Sequence, residues 1–421
     1  MISLFLLLAC GGEEASESAG REAPPEASED QSTLVDAGSV VVEFPTPRLP
    51  QRVALSPFPV NRTPDIDRAL LELGKVVDSQ AGNPDDPWAI AHGILARGAE
   101  FELTNGENAV DWLFARYART EEIHGRNLVY FPAELEIEGL GNVEIEPHTD
   151  LVLKALAEVG LRLDHAVEVE GQAHQFGEVW WHSVMTTWLN KSDGSSSYVS
   201  PNDMPWGMQG IASFAAEDLS WGAKGQSMVL DDMAQLLVHI LTQESTFMIQ
   251  QMNRGQDFEK RGQGVFAYTC GGAHLLQGAA HMVARGFGGD EQRDLVMVQG
   301  PLLLYRFPRE TAIYREMMSQ YPAMRVTLLA QQLKFTGHWL ESVHKLAASG
   351  LFVPDPVAQV VLADAVMLLV STVVELKQLG VLDNLSEVHE QNPQLYLDLV
   401  GDSAHAIRGL ELALGEGSYL F

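Results

Sequence analysis

The chain has 421 residues, with 57 acidic side chains against 27 basic ones and a formal net charge of −30. A field of that sign repels phosphate backbones and anionic headgroups, which excludes nucleic-acid binding and attachment to a membrane through a basic surface. A hydrophobic content of 46% is ample for a large core, and two cysteines do not make a disulfide framework.

Residues 1–9 form an apolar run that ends in Leu7-Leu8-Ala9, followed by Cys10, Gly11 and Gly12. This start resembles the lipobox of bacterial lipoproteins, in which the cysteine thiol is acylated and the preceding peptide removed. The resemblance implies an exported protein held in the cell envelope by lipid on Cys10, and Gly11 after the cysteine favours the outer membrane in the family pattern. Residues 10–60 are rich in Glu, Ser, Ala and Pro and bury too little apolar surface to order themselves, so a disordered tether is expected there. With Cys10 lipidated, Cys270 is the one free thiol, which suits burial, metal ligation or catalysis.

From residue 61 to 421 the pattern is that of one helical domain. Apolar residues recur at i, i+3, i+4 and i+7 in Met233–Met252, Ala323–Leu346 and Val357–Leu379. Strand-like alternation is confined to Leu128–Phe131 and Glu134–Ile145, so the expected class is all-α. Val357–Val374 is long enough to raise a membrane span, but Gln359 and Asp364 interrupt it, and the pattern predicts a buried inner helix.

Small polar motifs punctuate these helices. Ala91-His92-Gly93, His148-Thr149-Asp150, Cys270-Gly271-Gly272-Ala273-His274 and Thr336-Gly337-His338-Trp339-Leu340-Glu341 each read as the opening of an apolar stretch. With Gln209 in third place and His405 closing the series, the anchors step along the chain by 56, 61, 65, 64 and 67 residues. That spacing predicts about six helical-pair repeats, longer than solenoid pairs of about 34–47 residues, closing into an (α/α)6 toroid with the motifs at one mouth.

Cys270 and His274 are spaced i, i+4, and a thiolate and an imidazole one turn apart can share a tetrahedral zinc ion with His338. The competing reading is a helix entry with a buried thiol and a locally bonded histidine. Thr336 reads as an N-cap and Glu341 as a first-turn carboxylate, or as an acid/base group. His148 and Asp150 are candidates for a fourth ligand or an acid/base pair, although Asp150 also suits a helix-dipole role. His92 and the triplet His174, Glu178 and His182, read as one helical face, are secondary metal candidates. No nucleophile elbow, P-loop or zinc-protease motif is present.

Taken together, the His-x-Asp entry, Cys-Gly-Gly-x-His and Thr-Gly-His-x-Leu-Glu resemble a family of uncharacterised bacterial exported proteins over roughly residues 87–346. More distantly the pattern is similar to the toroids of terpene cyclases, protein prenyltransferases and lanthionine cyclases. That likeness implies Cys and His ligands at a ring mouth. The paired cysteine ligands and acidic motif of those enzymes are absent, so their reactions are not carried over. The expected function is a metal-dependent hydrolase or transferase acting on envelope carbohydrate or peptide. The alternatives are a metal-free glycan lyase or hydrolase using His148, Asp150 or Glu341, and a non-catalytic envelope scaffold or ligand-binding protein.

Overall fold

The structure is a computed structural model that describes residues 44–49, 52–53, 60–198, 200–416 and 419–420. The lipobox-like start, Cys10 included, lies outside the described residues. The described chain is mainly helical. Its helices in order are α1 (Pro64–Val76), α2 (Pro87–Arg97), α3 (Ala109–Tyr117), α4 (Leu151–Glu158), α5 (Gly177–Thr186), α6 (Met204–Phe214) and α7 (Leu230–Arg254), then α8 (Ala273–Ala284), α9 (Asp290–Met297), α10 (Gln299–Gln320), α11 (Arg325–Ala348), α12 (Pro356–Gln378), α13 (Leu385–Gln391) and α14 (Pro393–Ala413).

Several helices start where the sequence writes a capping residue before proline. Thr63, Asp86, Asp355 and Asn392 each accept a hydrogen bond from an amide of the first turn, and Pro64, Pro87, Pro356 and Pro393 follow them. Proline there loses no helical bond and brings a preset φ, so the pair fixes the start.

Helices α2, α6, α8, α11 and α14 carry five of the anchors and α4 begins three residues after the other, His148; each of these six helices packs on the next, with α14 returning to α2. The tightest of these pairings is α11 with α14. A Cβ on Gly337 would stand 3.0 Å from the backbone of Ala406, and one on Gly409 would stand 2.8 Å from the Gly337 carbonyl. Helices α1, α3, α5, α7, α10 and α12 pack on this succession, and one continuous apolar core, with Phe114, Trp180, Phe214, Leu340 and Leu369 at 0% exposure, lies between them.

The opposite faces of the anchor helices are polar and equally buried. Lys154 and Glu158 pair at 2.9 Å, Lys345 Nζ lies 2.5 Å from Glu158 Oε1 and 2.7 Å from Glu341 Oε1, and Arg408 donates to Glu158 at 3.2 Å. Burial alone would raise the Glu158 carboxyl, but Lys154 and Lys345 outweigh it and hold the group well below the usual range. Paired buried charges of this kind are strongly destabilising when one partner is removed.

Four expectations are corrected. Beyond β2 (Arg119–Ile123) with β3 (Arg126–Tyr130) and β4 (Glu134–Ile137) with β5 (Gly141–Glu144), two further hairpins form, β6 (Ala166–Val169) with β7 (Gln172–Gln175) and β8 (Ser220–Ala223) with β9 (Gln226–Val229). Near the ends β1 (Arg52–Val53) pairs with β10 (Tyr419–Leu420). The class is therefore mainly α with short hairpins between helices. Helix α12 is an outer helix rather than a buried inner one. It packs on α1 and α11 and leaves Val357 69%, Val360 61% and Met367 52% exposed. Thr336 is no cap, because helix α11 already runs from Arg325 and its middle holds the whole motif. Finally, residues 44–49, inside the stretch read as tether, lie on the helical body: Trp181 donates to the Pro45 carbonyl at 3.1 Å and Arg48 pairs with Glu217 at 2.7 Å.

Candidate metal centre

Cys270 does not belong to helix α8. It stands in the left-handed region at φ 53°, followed by Gly271 at 63° and Gly272 at 79°, and the helix begins at Ala273. The i, i+4 helical geometry expected for Cys270 and His274 is therefore replaced by a left-handed turn, which the two glycines permit. A non-glycine residue in that region costs on the order of 1–3 kcal/mol and persists only where its surroundings hold it. Here Arg306 Nη2 donates to the Gly271 carbonyl at 3.1 Å and is itself fixed by Glu310 at 2.7 Å, while Asn202 accepts the Thr269 amide at 3.1 Å.

This turn brings the Cys270 thiol to His274 and His338, with one donor atom from each within 4.8 Å of the others. His338, from the middle of α11, is 2% exposed, and neither of its ring nitrogens has a hydrogen-bond partner. Its nearest carboxylate is Asp402, with Oδ1 at 3.5 Å from Nε2. Burial lowers the affinity of His338 for a proton, but Cys270 and Asp402 outweigh it and raise the pKa to about 10. Burial, then the nearby His338 and His405, push His274 well below its ordinary value.

The buried His338 ring makes no full hydrogen bond, and its charge is met only by Cys270 and by Asp402 at 3.5 Å, so a metal cation can take the place of the proton there. One thiolate and two imidazoles are donors of the type zinc takes at about 2.0–2.3 Å, and side-chain rotation can close the observed span. A second group, His338 with Glu341 and His405, meets the same distance limit. There the Lys345 ammonium lies 2.7 Å from Glu341 Oε1, where it opposes a further cation. His405 Nδ1 faces Glu341 Oε2 at 2.8 Å, so Nδ1–H donates to the carboxylate and Nε2 is left without a proton, while burial and the nearby His338 hold the His405 pKa well below its ordinary value.

The three donors line a cavity of about 810 Å³ that His92, His148, Trp206, Asp402 and His405 also line. His92 Nδ1 bonds the Trp88 carbonyl at 2.8 Å, and its ring meets that of His405 edge to face at 5.7 Å. Burial lowers the His92 pKa to about 4. Trp206 contacts two imidazoles, stacking on His148 at 4.9 Å and lying 4.0 Å from His274 between ring centres. His148 thus shares the cavity, but its Nδ1 faces Asp203 at 3.2 Å, and it joins neither donor group among the described residues.

Other candidates stand elsewhere. Asp150 precedes α4 at φ 64°, caps nothing, and accepts a hydrogen bond from Ser183. The first-turn amides are capped by Glu146 instead, which accepts from the Asp150 amide at 3.0 Å and the Val152 amide at 2.9 Å. His174 lies on β7 rather than on a helix and pairs with Glu178 at 2.6 Å, whereas His182 pairs with Glu121 at 3.0 Å. The triplet does not share one helical face.

Asp402 and Lys334 were missed by the sequence reading, which named His405 as the closing anchor but gave it no role in the site. Signals for them existed: Gly401-Asp402-Ser403-Ala404-His405 repeats the small-polar style of the other anchors, and Lys334 precedes His338 by one helical turn. No protein-family model matches the chain, and neither curated proteins nor solved structures include a similar one.

Proposed function

We propose that the chain is an exported lipoprotein, anchored to the outer membrane through Cys10, whose helical domain is an (α/α)6 toroid holding a zinc ion on Cys270, His274 and His338. The closed succession of six anchor helices supports the toroid. The observation that carries the metal reading is His338, 2% exposed, both ring nitrogens unbonded, with a thiol and a second imidazole inside 4.8 Å. Three protein ligands leave one position for substrate or water, which is the arrangement of catalytic rather than structural sites. Bound zinc supplies Lewis acidity, polarising a carbonyl or lowering the pKa of water. The chain's own groups would do the rest. His405, oriented by Glu341, is held neutral by burial and the nearby His338 and can hydrogen-bond a substrate group at Nε2, while Trp88 and Trp206 wall the cavity. This is the equipment of a hydrolase or transferase acting on envelope peptide or carbohydrate.

Cobalt substitution tests the assignment. A thiolate-to-cobalt charge-transfer band in the wild type that disappears in Cys270→Ser is expected, and cobalt bound without that band contradicts it.

A second reading is favoured by one geometry. Cys270 in a left-handed turn beside an imidazole, with Asp402 behind it at 3.5 Å, has the residue types of a metal-free thiol nucleophile. Alkylation separates the two. If zinc holds the thiolate, chelation speeds the reaction of Cys270 with iodoacetamide, whereas a free nucleophile reacts equally fast before and after chelation.

A further inference from the structure

Five carboxylates, Asp85, Asp86, Glu144, Asp398 and Asp402, line the cavity, against the Lys334 ammonium in the lining and the Arg116 guanidinium behind it, which pairs with Asp85 at 3.3 Å. Lys334 is already committed, lying 2.8 Å from Asp398 Oδ1 and 3.8 Å from Asp402 Oδ2. A divalent ion on a thiolate therefore leaves the lining with a negative excess. Two buried wall groups each have one polar atom without a hydrogen bond. Asp402 is 4% exposed and its Oδ2 accepts no hydrogen bond, and Trp206 is 5% exposed and its Nε1 donates none. The first suits a cationic donor and the second a carbonyl or hydroxyl acceptor. Trp88 and Tyr268 add aromatic wall of the kind that receives ammonium groups.

From this lining we infer the substrate class: a molecule carrying an ammonium group next to a carbonyl or hydroxyl, as in a peptide with a basic side chain or an amino sugar. The inference rests on reading the cavity as the place where the metal centre meets its substrate. An anionic substrate is disfavoured by the same carboxylates, and one without a donor leaves Asp402 Oδ2 without a hydrogen bond.

Tryptophan fluorescence of the full chain, titrated with two matched pairs, tests it. One pair is Nα-acetyl-lysine methylamide and its norleucine analogue, and the other is glucosamine and N-acetylglucosamine. The charged member of at least one pair is expected to bind about tenfold more tightly, with the preference shrinking as salt is raised. Preference in the first pair identifies a basic peptide, and in the second an amino sugar. In the Asp86→Asn, Glu144→Gln double variant the preference falls about fivefold, because the negative lining loses two charges. Asparagine at 86 still caps α2, and circular dichroism of the double variant checks that its helix content is kept. Equal binding of both members of each pair, or no binding at all, overturns the inference. Zinc is measured on the same samples: an ammonium preference without zinc defeats the metal reading alone, and zinc without a preference defeats this inference alone.

Discussion

His338 and Cys270 show how far single residues can be read from a sequence. Their types, with His274, were legible as candidate metal donors because thiolate and imidazole both ligate metal ions, and the three stand together. Their surroundings were not. The left-handed turn at Cys270 and the mid-helix place of His338 depend on Arg306 and on the contact between α11 and α14, both remote in sequence. His174, Glu178 and His182 were read as one helical face, which fails at His174 because it lies on a strand, and Asp150 was read in a first helical turn that its left-handed backbone precedes. The strain at Cys270 gives a prediction. Cys270→Gly is expected to raise the stability of chelated protein by about 1 kcal/mol while abolishing metal binding, since glycine takes positive φ freely. Urea denaturation reads the first effect, and unchanged or lower stability would speak against a strained site.

Elements follow two rules here, one legible and one not. The capping residue and proline before α1, α2, α12 and α14 mark their starts in the sequence, and Asp355→Ala is expected to cost about 1 kcal/mol in thermal or urea unfolding. The hairpins β6–β7 and β8–β9 escaped notice because their strands have four residues each, too short and too polar for alternation to register. Helix α12 escaped correct placement for a different reason. Its composition is apolar all round, so periodicity cannot say which side faces the core, and packing on α1 and α11 decides it. At the α11–α14 crossing, Gly409→Ala brings a methyl to 2.8 Å from the Gly337 carbonyl. Overpacking of this kind costs about 1–3 kcal/mol. A smaller loss, measured by denaturant midpoint, would mean that the two helices separate easily.

At the scale of the whole molecule the anchor spacing carried the succession of six packed helices, whereas their polar inner faces were missed, since buried charges look like surface charges in a sequence. Those faces make stability depend on pH. Burial holds His281 neutral, with its pKa lowered to about 3, and His344 likewise at about 4. Both lie below the ordinary value of 6.5, so the unfolded chain binds protons that the folded one refuses. Their full contribution is present above about pH 6.5, and each loses roughly 1.4 kcal/mol per pH unit as pH falls toward its folded pKa. His281→Gln is expected to flatten the stability curve between pH 6 and 4 by about that slope, and an unchanged slope would show that His281 protonates in place.

The account's central claim is that Cys270 and His338 hold a metal ion, and the metal content of freshly purified, unchelated protein tests it most directly. About one equivalent of zinc per chain in the wild type, lost in both Cys270→Ala and His338→Ala with helix content retained, is the expected result. A wild type without metal, or variants that keep it in full, would contradict the claim.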